Sequence, residues 1–229
     1  MQTILDNLYG ALIRENRWQL YLQGLAITLQ ITLVACLIGI VLGMLVAVVK
    51  IYAVGSRNPV LKALNVICNF YTTVIRGTPM VLQLLIIYFG LTFLPSGVVA
   101  CYIGFGINSG AYASEIFRGG INSVDAGQME AGRSLGLSRN STMRYIVMPQ
   151  AVKNILPSLF NELISLLKET SIAGYIAVND LTKLSNGIKG RTLNIYPLFV
   201  AGALYLLLTV LLTQVQRWIE RRFARSDRG

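Results

Sequence analysis

Residues 18–49 read WQLYLQGLAITLQITLVACLIGIVLGMLVAVV and contain no Asp, Glu, Lys or Arg. A helix needs roughly 20 apolar residues to cross about 30 Å of hydrocarbon, so this stretch is long enough for one membrane crossing. A secretory signal is shorter and begins with basic residues, whereas this stretch follows a mixed segment that includes Asp6, Arg14 and Glu15. The stretch therefore predicts a retained transmembrane helix.

The composition extends this interpretation to the whole chain. Of the 229 residues, 54% are hydrophobic and 13% are charged, and the mean hydropathy is +0.59. The apolar residues lie in long blocks and do not alternate with polar ones. This pattern is typical of an all-α integral membrane protein. We expect a single transmembrane domain over residues 1–229.

Further apolar blocks predict four more crossings. Residues 77–114 are uncharged and too long for one crossing, and Pro95-Ser96-Gly97 supplies a turn between two helices. A crossing that ends near residue 178 must contain Glu162, Lys168 and Glu169. Residues 60–75 are expected to form an oblique or interfacial helix before the second crossing. The five predicted spans lie near residues 20–49, 74–94, 98–117, 157–178 and 195–216.

The distribution of Lys and Arg predicts the orientation, because these residues concentrate in cytoplasmic segments. One side of the five-span arrangement carries Lys50, Arg57, Lys62, Arg118, Arg133, Arg139, Arg144, Lys153, Arg217, Arg221, Arg222, Arg225 and Arg228. The other side carries Arg14, Arg17, Lys183, Lys189 and Arg191. We therefore expect the N-terminus outside and the C-terminus in the cytoplasm.

Several classes of protein are disfavoured by what the sequence contains. The net charge of +10 lies on one membrane face without interleaved aromatic residues, which favours contact with lipid headgroups over nucleic acid. The three cysteines have no metal-ligand spacing and the chain has no histidine, so we expect no metal site and no Cys/His catalysis. No phosphate-binding P-loop motif is present either. We expect no cofactor on this chain, so any ATP would bind another subunit.

A polar segment near residues 120–153 separates the third and fourth predicted spans. Its centre, which we call the cassette (residues 130–149), reads Glu-Ala-Gly-Arg-Ser-Leu-Gly, then nine residues, then Ile-Val-Met-Pro. Residues 129–135 predict a short helix, Gly136 a left-handed turn, and residues 142–147 a second helix that Pro149 stops. Such a helical knob could dock into a groove on a partner. An ordinary amphipathic surface loop fits the spacing equally well.

Ionisable residues inside a span are candidates for function, because insertion of each costs about 2.5–3.5 kcal/mol near the membrane centre. On a helix, Glu162 and Glu169 share one face and Lys168 points about 120° away from Glu162. Glu162 could therefore meet an amine and Lys168 a carboxylate. Alternatively, Lys168 and Glu169 lie near the interface or pair with other helices.

Neutral polar residues and one charged pair complete the set of candidates. Gln83 and Asn108 need partners in lipid, so each could line a cavity or form a hydrogen bond between helices. Glu115 and Arg118 can pair along one helix face, for which a structural role is favoured over a gate.

The cassette resembles the EAA loop of ABC importer permeases, with Gly132 and Met148 as small apolar departures from that pattern. The likeness to the polar amino acid subfamily covers the chain from about residue 20 to 220. The residues that carry it are Arg76-Gly77-Thr78-Pro79, Gln83, Ala111-Tyr112, Glu115-Ile116, Arg118-Gly119-Gly120-Ile121, Gly127-Gln128, Ser134-Leu135-Gly136 and Lys168-Glu169-Thr170-Ser171.

This resemblance implies one half of an ATP-driven amino acid importer in the bacterial inner membrane. Such an importer has two permeases, either identical or paralogous, two ATPases that bind ATP and Mg, and an extracytoplasmic amino acid-binding protein. Substrate would lie near Asn108, Glu162 and Lys168, and Gln83 could line the same cavity. The residues implied in ATPase coupling are Glu130, Ala131, Gly132, Arg133, Gly136 and Pro149.

Two other classes fit the sequence less well. An ion-coupled secondary carrier or channel would use Glu162, Glu169 and Lys168 as ion sites. Carriers of that class usually have internal repeats and more spans, whereas no repeat is visible here. An intramembrane enzyme lacks a nucleophile and base pair in this histidine-free chain.

Overall fold

The computed structural model describes residues 2–91 and 93–226, with side chains for residues 6–91 and 93–223. Within these residues the chain is helical and has no strand. The α-helices are α1 (Gln2–Leu12), α2 (Trp18–Ala53), α3 (Pro59–Gly77), α4 (Met80–Gly90), α5 (Gly97–Asn122), α6 (Ala126–Ser134), α7 (Arg139–Thr142), α8 (Met148–Glu169), α9 (Leu181–Thr192) and α10 (Tyr196–Ser226). Shorter turns connect some of them, with 3-10 geometry at Arg14–Asn16 and Thr170–Ile176 and π geometry at Met143–Val147.

The core of the fold is the pair formed by α2 and α5, the most extensive helix contact in the described chain. Glycines on both helices allow this contact. A Cβ at Gly39 would lie 2.7 Å from the Ser109 hydroxyl, and one at Gly106 would lie 2.6 Å from the Ile38 side chain. Small residues let membrane helices approach closely, so α5 is largely buried against α2.

The segment between α3 and α4 bends by 109°. Proline has no N–H and disfavours a helical conformation in the residue before it, and here α3 ends at Gly77 while Pro79 precedes α4. A single straight helix across residues 74–94 therefore does not form. The helix that precedes the bend covers 59–77, close to the oblique helix expected for residues 60–75.

Helix α8 begins at Met148, well before the predicted start of the fourth span at residue 157. The prediction that Pro149 stops a helix is wrong. Pro149 lies in the first turn of α8, where its missing N–H breaks no helical hydrogen bond. The π turn at Met143–Val147 leads directly into this helix. The chain is thus helical from Arg139 to Glu169.

Two helical stretches of the described chain are long and apolar enough to cross a membrane by themselves, namely Arg14–Ala53 and Tyr196–Phe223. The bent pair α3 and α4 gives a third if it is counted as one span. Helices α5 and α8 carry more polar and charged residues. Several polar residues of α5, including Asn108, Ser109 and Ser114, are buried in the fold. This helix therefore needs less apolar surface than one that faces lipid on all sides.

The end of the fold opposite the cassette is fixed by the start of α9. Asp180 is fully buried and accepts hydrogen bonds from the backbone N–H groups of Thr182 and Lys183. Burial raises the pKa of this carboxyl group, and these N–H donors oppose the increase. A Cβ at Gly24 would lie 2.8 Å from the Leu181 Cα, so α2 touches the backbone of α9 directly.

Candidate functional site

The turn inside the cassette is a Schellman motif. Leu137 N–H donates to the Gly132 carbonyl at 3.1 Å, and Gly136 N–H donates to the Arg133 carbonyl at 3.0 Å. Gly136 has φ +86°, which confirms the left-handed conformation predicted for this residue. These bonds satisfy carbonyl groups at the end of α6 and fix the bend between α6 and α7.

Close packing holds the two arms of the cassette together. Gly132 is buried, and a Cβ at this position would lie 2.5 Å from Thr142 Cγ2 and 3.0 Å from Ile146 Cδ1. Thr142 is itself fully buried and donates a hydrogen bond to the Ser138 carbonyl at 3.0 Å. Gly132, which departs from the usual EAA pattern, therefore lies where Thr142 occupies the space that a larger residue would need for its side chain.

The outer surface of the cassette is exposed. Glu130, Ala131 and Arg133 are exposed. Neither Glu130 nor Arg133 belongs to an ion pair of the described chain. Two large apolar side chains are exposed beside them, Leu135 at 82% and Tyr145 at 67%. An exposed apolar surface rimmed by polar residues is a feature of protein interaction sites.

The two helices that flank the cassette are bound to each other beside it. Asn154 on α8 donates a hydrogen bond to the Ser123 hydroxyl at the end of α5, at 2.8 Å. Gly120 on α5 packs so closely against Ile155 that a Cβ there would overlap the isoleucine side chain. Because the chain is helical from the second arm of the cassette into α8, a force on the cassette would move the adjoining ends of α8 and α5 together.

A charge cluster lies beside this junction. The predicted pair is present, with Arg118 Nη2 at 2.6 Å from Glu115 Oε2. The second oxygen of Glu115 accepts from Lys50 at 2.8 Å, and Lys50 also donates to the Thr72 hydroxyl at 2.8 Å. Lys50 is only 8% exposed, so this cluster joins α2, α3 and α5. Sequence reasoning counted Lys50 only as a topology residue.

Two of the predicted substrate residues, Gln83 and Asn108, are bonded to each other. Asn108 Nδ2 donates to Gln83 Oε1 at 3.1 Å, and both side chains are buried. The Gln83 amide also donates to the Ile75 carbonyl at 2.7 Å and to the Thr78 hydroxyl at 2.8 Å. Gln83 thus satisfies the backbone at the bend between α3 and α4, which is the interhelical role considered from sequence.

Glu162 has a different partner, Ser109, which sequence reasoning missed. The Ser109 hydroxyl donates to Glu162 Oε1 at 2.9 Å and joins α5 to α8. No hydrogen bond from the described residues reaches Glu162 Oε2. Adjacent residues of a helix point about 100° apart, so Asn108 and Ser109 face different neighbours. We call Gln83, Asn108, Ser109 and Glu162 the polar cluster.

Lys168, the fourth predicted substrate residue, is not joined to the polar cluster. It is exposed, as is Glu169, and no ion pair among the described side chains of residues 6–91 and 93–223 includes either of them. The same residues gather no group of three acidic, Cys or His side chains that could hold a metal ion. The polar cluster and Lys168 carry hydrogen-bonding and charged groups that could meet those of a small polar molecule.

A helical, largely apolar core with an exposed cassette between α5 and α8 is the arrangement expected of a permease subunit. The chain belongs to the family of binding-protein-dependent transport system inner membrane components, whose profile matches residues 39–225. Members of this family are the non-catalytic membrane components of ABC importers, and the ATPase is a separate subunit. The protein is therefore an inner-membrane permease component that works with ATPase and substrate-binding partners.

Individual relatives agree with this family. The arginine transport system permease protein ArtQ of Bacillus subtilis is 40% identical over 211 residues, which cover 90% of this chain and 93% of the relative. The putative glutamine transport system permease protein GlnP of Rickettsia felis is 40% identical over 205 residues, with coverages of 87% and 91%. The L-cystine transport system permease protein TcyB of Bacillus subtilis is 34% identical, with coverages of 93% and 91%.

Solved structures have the same fold. The crystal structure of an amino acid ABC transporter with histidines matches with a TM-score of 0.82 and 39% identity, over 89% of this chain and 94% of the other. The inward-facing MetNI methionine ABC transporter matches with a TM-score of 0.79 at 19% identity, over 92% and 99% of the two chains. The second likeness bears on the fold alone.

Proposed function

We propose that this protein carries a polar or charged amino acid inward across the bacterial inner membrane, with the cassette as its contact to the ATPase. Relatives named for arginine, glutamine and cystine transport support an amino acid as the substrate. In this proposal the chain crosses the membrane five times, near the predicted spans. The N-terminus lies outside, and the C-terminus and the cassette lie in the cytoplasm.

The observation that carries the coupling role is the exposed, rigid surface of the cassette. Its turn is fixed by the Schellman hydrogen bonds, while Glu130, Arg133 and Leu135 remain exposed. An ATPase that binds this surface could pull on α8, which continues from the cassette, and the contacts at Gly120 and Asn154 would pass the movement to α5. In the proposed assembly two such permeases, identical or paralogous, stand on two ATPases that bind ATP and Mg.

For substrate binding we propose Glu162 and Lys168 as the direct contacts. Glu162 Oε2 has an unused acceptor position for an ammonium group, and the exposed ammonium of Lys168 could meet a carboxylate. Asn108 and Gln83 are proposed to shape the adjoining wall, because their polar atoms already bond each other. The α-ammonium group of an amino acid would thus bind Glu162, and its carboxylate would bind Lys168.

The test of the coupling role is Glu130→Lys in the importer reconstituted with its ATPase and binding protein. We expect the permease to insert normally while binding-protein-stimulated ATP hydrolysis and uptake fall at least about tenfold, as for loss of a central interface contact. Arg57→Glu reverses another exposed charge on the same proposed face and should leave both unchanged. Normal ATP hydrolysis and uptake in Glu130→Lys would contradict the docking of the cassette on the ATPase. Uptake driven by an ion gradient without ATP would contradict an ATP-driven importer.

A further inference from the structure

A wide apolar groove runs between α2 and α8 on the side of the molecule that holds the cassette. Its volume is about 780 Å³, within the range of about 300–1,000 Å³ that small-molecule sites occupy. Ile40, Met44 and Val48 line the α2 wall, and Val152 and Leu156 line the α8 wall. We call this feature the inner groove. Met44 and Val48 are about half exposed in this chain, at 50% and 47%, so the groove is open along its length.

The length of the inner groove matches one leaflet of a membrane. From Ile40 to Tyr52 helix α2 rises about 18 Å at 1.5 Å per residue. Half of the hydrocarbon core is about 15 Å thick. In the proposed topology the Tyr52 end is cytoplasmic, so the groove extends from the inner headgroups to about the membrane centre.

The polar lining is concentrated at the Tyr52 end. Asn140 and Arg144, both exposed, line the groove there. The Arg144 guanidinium lies 5.6 Å from the Tyr145 ring centroid and belongs to no ion pair of the described chain. An adjoining cavity of about 370 Å³ shares Ile51, Ile121 and Met143 with the groove and is lined by both Arg139 and Asp125, which carry opposite charges. Arg144 thus gives the open end of the groove a positive charge, whereas the body of the groove is apolar.

We propose that the inner groove binds one anionic phospholipid of the cytoplasmic leaflet. The acyl chains lie between α2 and α8, and the phosphate accepts hydrogen bonds from Arg144 and the Asn140 amide. The inference rests on the proposed topology, which places this end at the inner headgroups. A second copy of the chain could fill the apolar body of the groove. An anionic lipid is favoured because its phosphate also complements the positive charge of Arg144. Because Arg144 belongs to the cassette, the bound lipid would tie the cassette to the membrane surface.

The headgroup contact is tested by native mass spectrometry of the purified importer complex with dioleoyl-phosphatidylglycerol or dioleoyl-phosphatidylcholine. One interfacial arginine should favour the anionic lipid by about fivefold. Arg144→Gln should remove this preference, and Arg57→Gln, an exposed arginine outside the groove, should keep it. Equal binding of the two lipids, or an unchanged preference in Arg144→Gln, would overturn the proposal.

The acyl contact is tested by filling the groove. Met44→Trp should reduce binding of both lipids at least about tenfold, whereas Leu45→Trp, at an exposed neighbouring position outside the groove, should not. If Met44→Trp separates the permease chains and leaves the lipid count unchanged, a second copy occupies the groove and the proposal is wrong. The topology is tested separately with a thiol reagent that does not cross the membrane. If this reagent labels Arg57→Cys only from outside the cell, the proposed topology is wrong, and this result does not depend on the lipid preference measured in detergent.

Discussion

In the cassette, Glu130 and Arg133 are exposed and belong to no ion pair of the described chain, whereas in the polar cluster Asn108 and Gln83 are buried and bond each other. The difference follows from the surroundings. Solvent satisfies a polar group at no cost to the fold, but hydrocarbon leaves it unsatisfied at a cost of several kcal/mol. Polar residues of the cassette are thus available to a partner protein, while most of those in the cluster first serve the fold. Glu162 is the exception, because one of its oxygens remains available.

The largest effect is expected from breaking the turn of the cassette with Gly136→Val. A β-branched residue at φ +86° is strained by about 1–3 kcal/mol, so the Schellman turn should open and the docking surface should be lost. We expect ATP-driven uptake in proteoliposomes to fall at least about tenfold while the membrane-inserted amount is unchanged. Gly187→Val, in a helix with no atom near its Cβ, is the matched control and should transport normally. Normal uptake in Gly136→Val would show that the turn is not needed for coupling.

The next largest effect should come from Gln83→Leu, which removes a member of the polar cluster. Asn108 would lose its acceptor and the bend at Thr78 would lose two donated hydrogen bonds, for a loss of about 2 kcal/mol in unfolding free energy. The melting temperature of the purified complex should fall, with the KM for uptake unchanged.

Gln23→Leu, at an exposed position, is the control for Gln83→Leu and should not alter the melting temperature. A raised KM at an unchanged melting temperature would reverse the assignment of Gln83. It would then be a substrate contact in place of a structural one.

A smaller effect is expected from Gly132→Ala, which tests the packing between the arms of the cassette. The new methyl group would lie 2.5 Å from Thr142 Cγ2, and such overpacking costs about 1–2 kcal/mol. Stimulated ATP hydrolysis should fall severalfold. The double variant Gly132→Ala with Thr142→Ala makes room for the methyl group and should recover part of the loss. If the loss of ATP hydrolysis in the double variant exceeds the sum of the losses in the two single variants, the close contact between residues 132 and 142 is not the cause of the loss.

The smallest effect is expected from Lys168→Ala. Loss of one charge contact with a substrate carboxylate should weaken binding by about 1 kcal/mol, or about fivefold in KM, with little change in the maximal rate. Lys62→Ala, an exposed lysine outside the predicted spans, is the matched control. Unchanged uptake kinetics in Lys168→Ala would make Lys168 a structural or interfacial residue.

The prediction of the fold from sequence was best where local pattern governs structure. The apolar run at 18–49 lies inside α2, and the glycine at 136 has its predicted left-handed conformation. The prediction failed at Pro149, because a proline that stops one helix can equally lie in the first turn of the next, and only the continuous path through the π turn distinguishes these cases.

The site was predicted less completely, because partners in the polar cluster lie far apart in sequence. Asn108 and Glu162 were both recognised as polar residues inside spans, but the link through Ser109 joins two helices separated by 53 residues. Lys50 was likewise visible only as a charge, although it holds Glu115 from 65 residues away. The glycine spacing at 39, 43, 106 and 110 could have indicated the close α2–α5 contact that brings these residues together.

By itself, the sequence determined that this is a helical membrane protein with a turn fixed at Gly136, because apolar block length and backbone propensity act over a few neighbouring residues. The tertiary structure alone decided that Gln83 closes on Asn108, that Ser109 holds Glu162, and that Gly132 makes room for Thr142. Those pairings depend on how helices approach in three dimensions. A hydrogen bond or close contact requires atoms within a few ångströms, and separation along the chain does not specify that distance.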